Sequence, residues 1–108
     1  MTTFDDRERA FEAKFAHDEE IQFRITARRN RLLGEWAARL MKLTPEETDA
    51  YRKAVVQADF EEAGDEDVIG KVLGDLISAG IDADEAGVRT ALAEKAVEAK
   101  RQIMAETK

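Results

Sequence analysis

The run Trp36-Ala37-Ala38-Arg39-Leu40-Met41-Lys42-Leu43-Thr44-Pro45-Glu46-Glu47 holds the end of one helix and the start of the next. Thr44 suits an N-cap, and Pro45 suits the first helical position, where its missing N–H costs nothing. Glu47 completes a capping box with Thr44. Upstream, Ile25, Leu32, Leu33, Trp36, Ala37, Leu40 and Met41 recur at three- and four-residue steps and form the apolar stripe of a first helix. Downstream, Tyr51, Val55 and Ala58, with Phe60 or Glu62, carry a second helix to Gly64, a natural left-handed cap. Asp65 caps a third helix presenting Val68, Ile69, Val72, Leu73, Leu76 and Ile77, which closes at Gly80. Asp82 or Asp84 starts a fourth, aligning Val88, Ala91, Leu92, Lys95, Ala96, Ala99 and Ile103. No stretch alternates at period two, so the fold class is all-α. Short connections predict an antiparallel four-helix bundle; the alternative is a helix-loop-helix pair with a loosely attached long arm.

The helices are unequal. A first helix from about Phe4 to Lys42 would be on the order of 60 Å long, against roughly 20–35 Å for the others. Its leading residues therefore overhang, fold back or remain disordered, so the N-terminal segment is expected to be flexible or protruding. That segment carries Phe4, Phe11 and Phe15, whose spacing places them on one face of a helix. An overhanging aromatic face is an interaction surface; the plainer reading buries the rings against the bundle.

Charge is segregated along the chain. Residues 1–20 carry a net charge of −4, residues 21–43 a net of +5, and the remainder a net of −8. The cationic stretch is thus positioned to pair with the acidic helices around it. The whole chain of 108 residues carries −7, which argues against a general nucleic-acid binder. It has no cysteine, which removes disulfides and thiolate metal sites, and a single histidine, His17. No apolar run approaches the roughly 18 residues a membrane span requires, so direct membrane insertion is not expected. No secretory leader is recognisable at the N-terminus, and the reading is a soluble, cytoplasmic protein.

Candidate chemical motifs fail on spacing. A calcium loop aligned from Asp65 puts Ile69 at position five and Leu76 at position twelve, where oxygen ligands are required. A di-iron bundle needs Glu-x-x-His, but Lys14 stands three residues before His17. His17 is flanked by carboxylates and could respond to pH, although a surface histidine without a role explains it as well. Paired buried carboxylates could serve acid–base catalysis, but no pocket is implied for them. The basic run Arg28-Arg29-Asn30-Arg31 could meet an anionic ligand. Adjacent helical residues point in different directions, which counts against the run as a whole forming one site; a rival reading puts a small anionic ligand such as a nucleotide on a cationic patch around Arg28 and Arg31.

Longer motifs carry a resemblance. Phe4-Asp5-Asp6-Arg7-Glu8, Phe11-Glu12-Ala13-Lys14-Phe15-Ala16-His17-Asp18, Ala27-Arg28-Arg29-Asn30-Arg31-Leu32-Leu33-Gly34 and Ala58-Asp59-Phe60-Glu61-Glu62-Ala63-Gly64-Asp65-Glu66-Asp67-Val68 resemble the zeta subunit of alphaproteobacterial F-type ATP synthases. After about Gly80 only the helical pattern is similar. The resemblance implies a non-enzymatic regulatory protein: a four-helix bundle over residues 20–108, with an inhibitory segment at residues 1–19 that blocks ATP hydrolysis by F1. It implies insertion of that segment at a catalytic interface between alpha and beta subunits, against the gamma rotor, with Phe4, Asp5, Asp6, Arg7, Phe11, Lys14 and Phe15 as partner contacts. It also implies a cytoplasmic location peripheral to the inner membrane, and weak adenine-nucleotide binding without an assigned site. No other cofactor is expected.

Overall fold

In the computed structural model the capping box closes as the sequence predicts. The Glu47 N–H donates to Thr44 Oγ1 at 3.1 Å, and the Thr44 N–H donates to Glu47 Oε1 at 2.9 Å. The helices are α1 (Thr3–Met41), α2 (Pro45–Glu61), α3 (Asp65–Ser78) and α4 (Glu85–Glu106). The structure describes residues 3–61 and 64–107, with side chains described for 17–59 and 64–107. Among the described residues there is no strand, and no helix is long and apolar enough to cross a membrane.

Several helix ends have a local cause. Beyond α1, Lys42 takes a left-handed conformation (φ 58°), and the Leu43 N–H reaches back to Ala38 O at 3.1 Å. That is a Schellman-type ending without glycine. α3 stops the same way at Gly80 (φ 80°), with the Ile81 N–H on Leu76 O at 2.9 Å. Asp84, one of the two residues offered for the start of α4, accepts from the Gly87 N–H at 2.7 Å. Asp65 is not the cap of α3, contrary to the sequence reading. Gly64 occupies that position without a side-chain cap, and Asp65 is the first helical residue. There its carboxylate favours the helix dipole and meets Arg29 Nη2 at 3.0 Å.

Contacts between helices set the topology. Gly34 of α1 lies against Arg52 and Val55 of α2, while Arg28 reaches Gln102 and Glu106 near the end of α4. Arg29 meets Asp65 at the start of α3. α1 and α3 therefore run one way and α2 and α4 the other, an up-down-up-down bundle. α1 is flanked by α2 and α4, and the short α3 closes the remaining side.

The main core joins Leu33 and Ala37 of α1, Val55 of α2, Val68, Ile69, Val72 and Leu76 of α3, and Val88, Ala91 and Leu92 of α4. A second cluster, Ile25 with Ala99 and Ile103, seals α1 against the end of α4, and Ile21 packs on its edge. Two stripe residues miss the core: Leu40 is exposed and Ile77 is 57% exposed. Small residues outside the stripe are buried on α1. Ala38 is fully buried, and Gly34 lets the backbones of α1 and α2 approach. Trp36 packs on the core while staying partly exposed.

α1 outruns its partners. At 1.5 Å per residue it is about 58 Å long, against about 33 Å for α4, and it sets the long dimension of a molecule measuring 65 × 25 × 21 Å. His17, Asp18, Glu19 and Glu20 are exposed, and Ile21 is the first described α1 side chain packed on another helix. The side chains of Phe4, Asp5, Asp6, Arg7, Phe11, Lys14 and Phe15 lie outside the described residues. The expected boundary between residues 19 and 20 falls inside one continuous helix.

Candidate functional site

Arg24, Arg28 and Arg31 follow one another on α1 at steps of four and three residues, which brings them to one face. Because α2 folds back along α1 after the turn at 42–44, that face meets Arg52 and Lys53. The result is a groove of about 550 Å³ between α1, α2 and the end of α4. Its floor is apolar, from Ala27, Val56 and Ile103, with Phe23 (55% exposed) at one edge. Its walls carry five cations and one carboxylate, Asp49.

The two candidate arginines from the sequence both line this groove, in different states. Arg28 is held: its Nη1 donates to Gln102 Oε1 at 2.8 Å and lies 2.9 Å from Glu106 Oε2. Arg24 stands 3.9 Å from the same carboxylate. Hydrogen bonding from Arg28 pulls the Glu106 carboxyl below its usual range, and the charges of Arg28 and Arg24 add to this. Arg31 is exposed and has no ion pair or hydrogen bond among the described residues. Their neighbours in the basic run face elsewhere. Arg29 turns toward α3, and Asn30 is fully buried, its Oδ1 accepting from Arg29 Nε at 3.0 Å. Asn30 Nδ2 has no hydrogen-bond partner among the described residues. Arg29 Nη2 pairs with Asp65 by distance but lacks hydrogen-bond alignment, so that contact is an ion pair.

Across the groove, Asp49 is shared between Lys53 Nζ at 3.1 Å and Arg52 Nη2 at 3.3 Å. Lys53 first, then Arg52, pulls its carboxyl below the usual range. Arg52 also reaches Glu35 Oε2 at 3.5 Å. Four of the five cations thus meet three carboxylates (Asp49, Glu106 and Glu35), which leaves a local positive surplus on a chain of net −7.

Arg24, Arg52 and Lys53 were not singled out by the sequence reading. Reflecting the chain about the 42–44 turn, which pairs position 34 with positions 52–55, was the available signal for the two α2 cations. His17 lies seven residues before Arg24 and does not line the groove. No group of three or more His, Cys, Asp or Glu among the described residues could hold a metal ion. With no nucleophile–base pair in it, the groove is equipped to bind anions and apolar surface.

Comparison with known proteins bears on the whole chain. No curated protein shows significant similarity to it. One solved structure, determined by solution NMR, superposes with a TM-score of 0.70 at 46% sequence identity, over 80% of this chain and 98% of the other. The family model for ATPase inhibitor subunit zeta matches residues 1–102, nearly the full length. The chain belongs to the ATPase inhibitor subunit zeta family.

Proposed function

We propose that this protein inhibits ATP hydrolysis by the F1 part of an F-type ATP synthase, with residues 1–19 inserting at an alpha/beta catalytic interface against the gamma subunit. Family membership makes the chain a regulatory inhibitor of an F-type ATPase and not an enzyme. The observation that carries the insertion reading is the overrun of α1: the helix starts at Thr3, whereas described packing on the bundle starts at Ile21. Counting back in sevens from Ile25, which α4 covers, the sequence gives Asp18, Phe11 and Phe4. Residues seven apart on a helix stay within about 20° of each other, so the sequence puts Phe11 and Phe4, with Asp18 between them and Ile25, in helical register with a position that α4 covers.

Phe4, Phe11 and Phe15 supply the apolar contacts, and Asp5, Asp6, Arg7 and Lys14 the charged ones. Burying each ring is worth roughly 1.5–3 kcal/mol before ordering costs. Residues 20–108 form the bulk that stays outside the cleft. Arrest comes from preferential binding to one rotational state. Moving a two-state equilibrium from 1:99 to 99:1 takes about 5.5 kcal/mol of differential affinity, which three rings can approach. The protein then sits on the cytoplasmic side, peripheral to the inner membrane through F1. Deleting residues 2–19 tests this: the truncated chain should no longer slow ATP hydrolysis by purified F1 and should melt as the intact chain does. Equal inhibition by both would remove the insertion mechanism.

A second reading is favoured by the volume and charge of the groove: an adenine nucleotide with its phosphates on Arg28 and Arg31. A volume of about 550 Å³ falls within the range of small-molecule sites. ATP titration followed by amide shifts checks it, with the response confined to α1 and α2 around the groove and lost in Arg31→Ala.

A further inference from the structure

We propose that the groove between α1 and α2 is a second docking surface, which takes a carboxylate-rich segment of the F1 motor beside the cleft that receives residues 1–19. This rests on the inhibitor reading above and adds to it a role for the bundle: the bundle grips the motor.

Three observations carry it. The first is composition: Ala27, Val56 and Ile103 pave the floor, while Arg31 and Lys53 stand at the rim, Lys53 with 78% of its side chain exposed. A free anion would use the rim and leave the floor wet. An amphipathic acidic segment covers both. The second is the charge balance, because the groove keeps a cationic surplus after its internal pairs are made, on a molecule that is otherwise acidic. An acidic partner surface would repel most of this protein and attract this face, which orients the approach. The third is continuity. The groove begins at Phe23, four residues or about 6 Å of helix beyond residue 19, so a partner enclosing the leading segment already has its surface at the groove mouth.

The experiment uses the full-length chain and F1 purified from the same organism. Arg31→Glu combined with Lys53→Glu reverses two exposed charges outside the core, and an unchanged melting curve establishes that the fold is intact. Arg31→Gln with Lys53→Gln serves if the reversal perturbs folding. The readout is the rate at which ATP hydrolysis decays after inhibitor is added. The reversal should slow that onset by about tenfold at low salt, as for a steering patch. The difference should shrink as salt rises from ~0.01 to ~0.1 M, where the screening length falls from about 30 to about 10 Å. Onset at the wild-type rate would overturn the proposal. So would groove amides that shift with ATP while the reversed variant inhibits normally, since the groove would then serve nucleotide alone. The outcomes separate from those of the parent reading: deletion of residues 2–19 removes inhibition whatever the groove does, and a wild-type chain that fails to inhibit removes both.

Discussion

A Cβ placed on Gly34 would stand 3.0 Å from the Arg52 Cα and 3.3 Å from Val55 Cγ2. The backbones of α1 and α2 are therefore as close as a glycine permits, and this contact lies behind the wall that carries Arg52 and Lys53. Gly34→Ala gains up to about 1 kcal/mol of helix propensity, but forcing α2 outward costs roughly 1–3 kcal/mol. The net expectation is a loss of about 1 kcal/mol, read as a melting temperature several degrees lower. A rise in melting temperature would mean that α2 moves aside freely.

Lys42 offers the opposite case. Its φ of 58° puts a β-carbon in the left-handed region, where non-glycine residues cost roughly 1–2 kcal/mol. Its side chain is exposed. Lys42→Gly should stabilise the fold by about 1 kcal/mol, measured by urea denaturation at unchanged m-value.

Acid should loosen the end of α4. The Glu106 carboxyl is held below its ordinary 4.5 by Arg28. A carboxyl lowered in the folded state contributes stability that is complete above the unfolded value and is lost as pH falls through the folded one. The contact thus weakens below about pH 4.5 and is intact at neutrality. Glu106→Gln should melt earlier than wild type at pH 7, with the gap closing as the carboxyl is protonated in acid. A gap that stays constant across this range would mean the ion pair contributes nothing, as exposed pairs often do.

Phe11→Ala and Phe15→Ala should each weaken inhibition of F1 by tenfold or more, the equivalent of about 1.4 kcal/mol, while leaving the melting temperature of the free protein within about a degree. A fall of many degrees would assign those rings to the monomer core, where truncation costs about 3–5 kcal/mol.

The sequence revealed what is decided locally. Thr44, Pro45 and Glu47 announce a helix start because a capping box involves only residues three apart, and Asp84 does the same for α4. The apolar stripes located most of the core for the same reason. Leu40 and Ile77 were misassigned because periodicity tells which side a residue is on, not whether a neighbour reaches it; both lie near the ends of their helices. Ala38 and Gly34, poor hydrophobic signals, are buried because close helix approach selects small residues. At the groove, the basic run pointed to Arg28 and Arg31, which line it, while Arg29 turns to α3. Arg52 and Lys53 escaped notice because only the fold-back of α2 brings them across from Arg31.

The up-down path of the chain leaves Glu106 clasped to Arg28, so whatever is attached beyond Thr107 emerges beside the groove, at the end from which the leading segment departs. The 42–44 turn and the α3–α4 connection, 79–84, lie at the opposite pole. A fluorophore or affinity handle grafted at the tail would crowd the working end and masquerade as a weakened inhibitor. One spliced between Ser78 and Glu85 would ride clear of it.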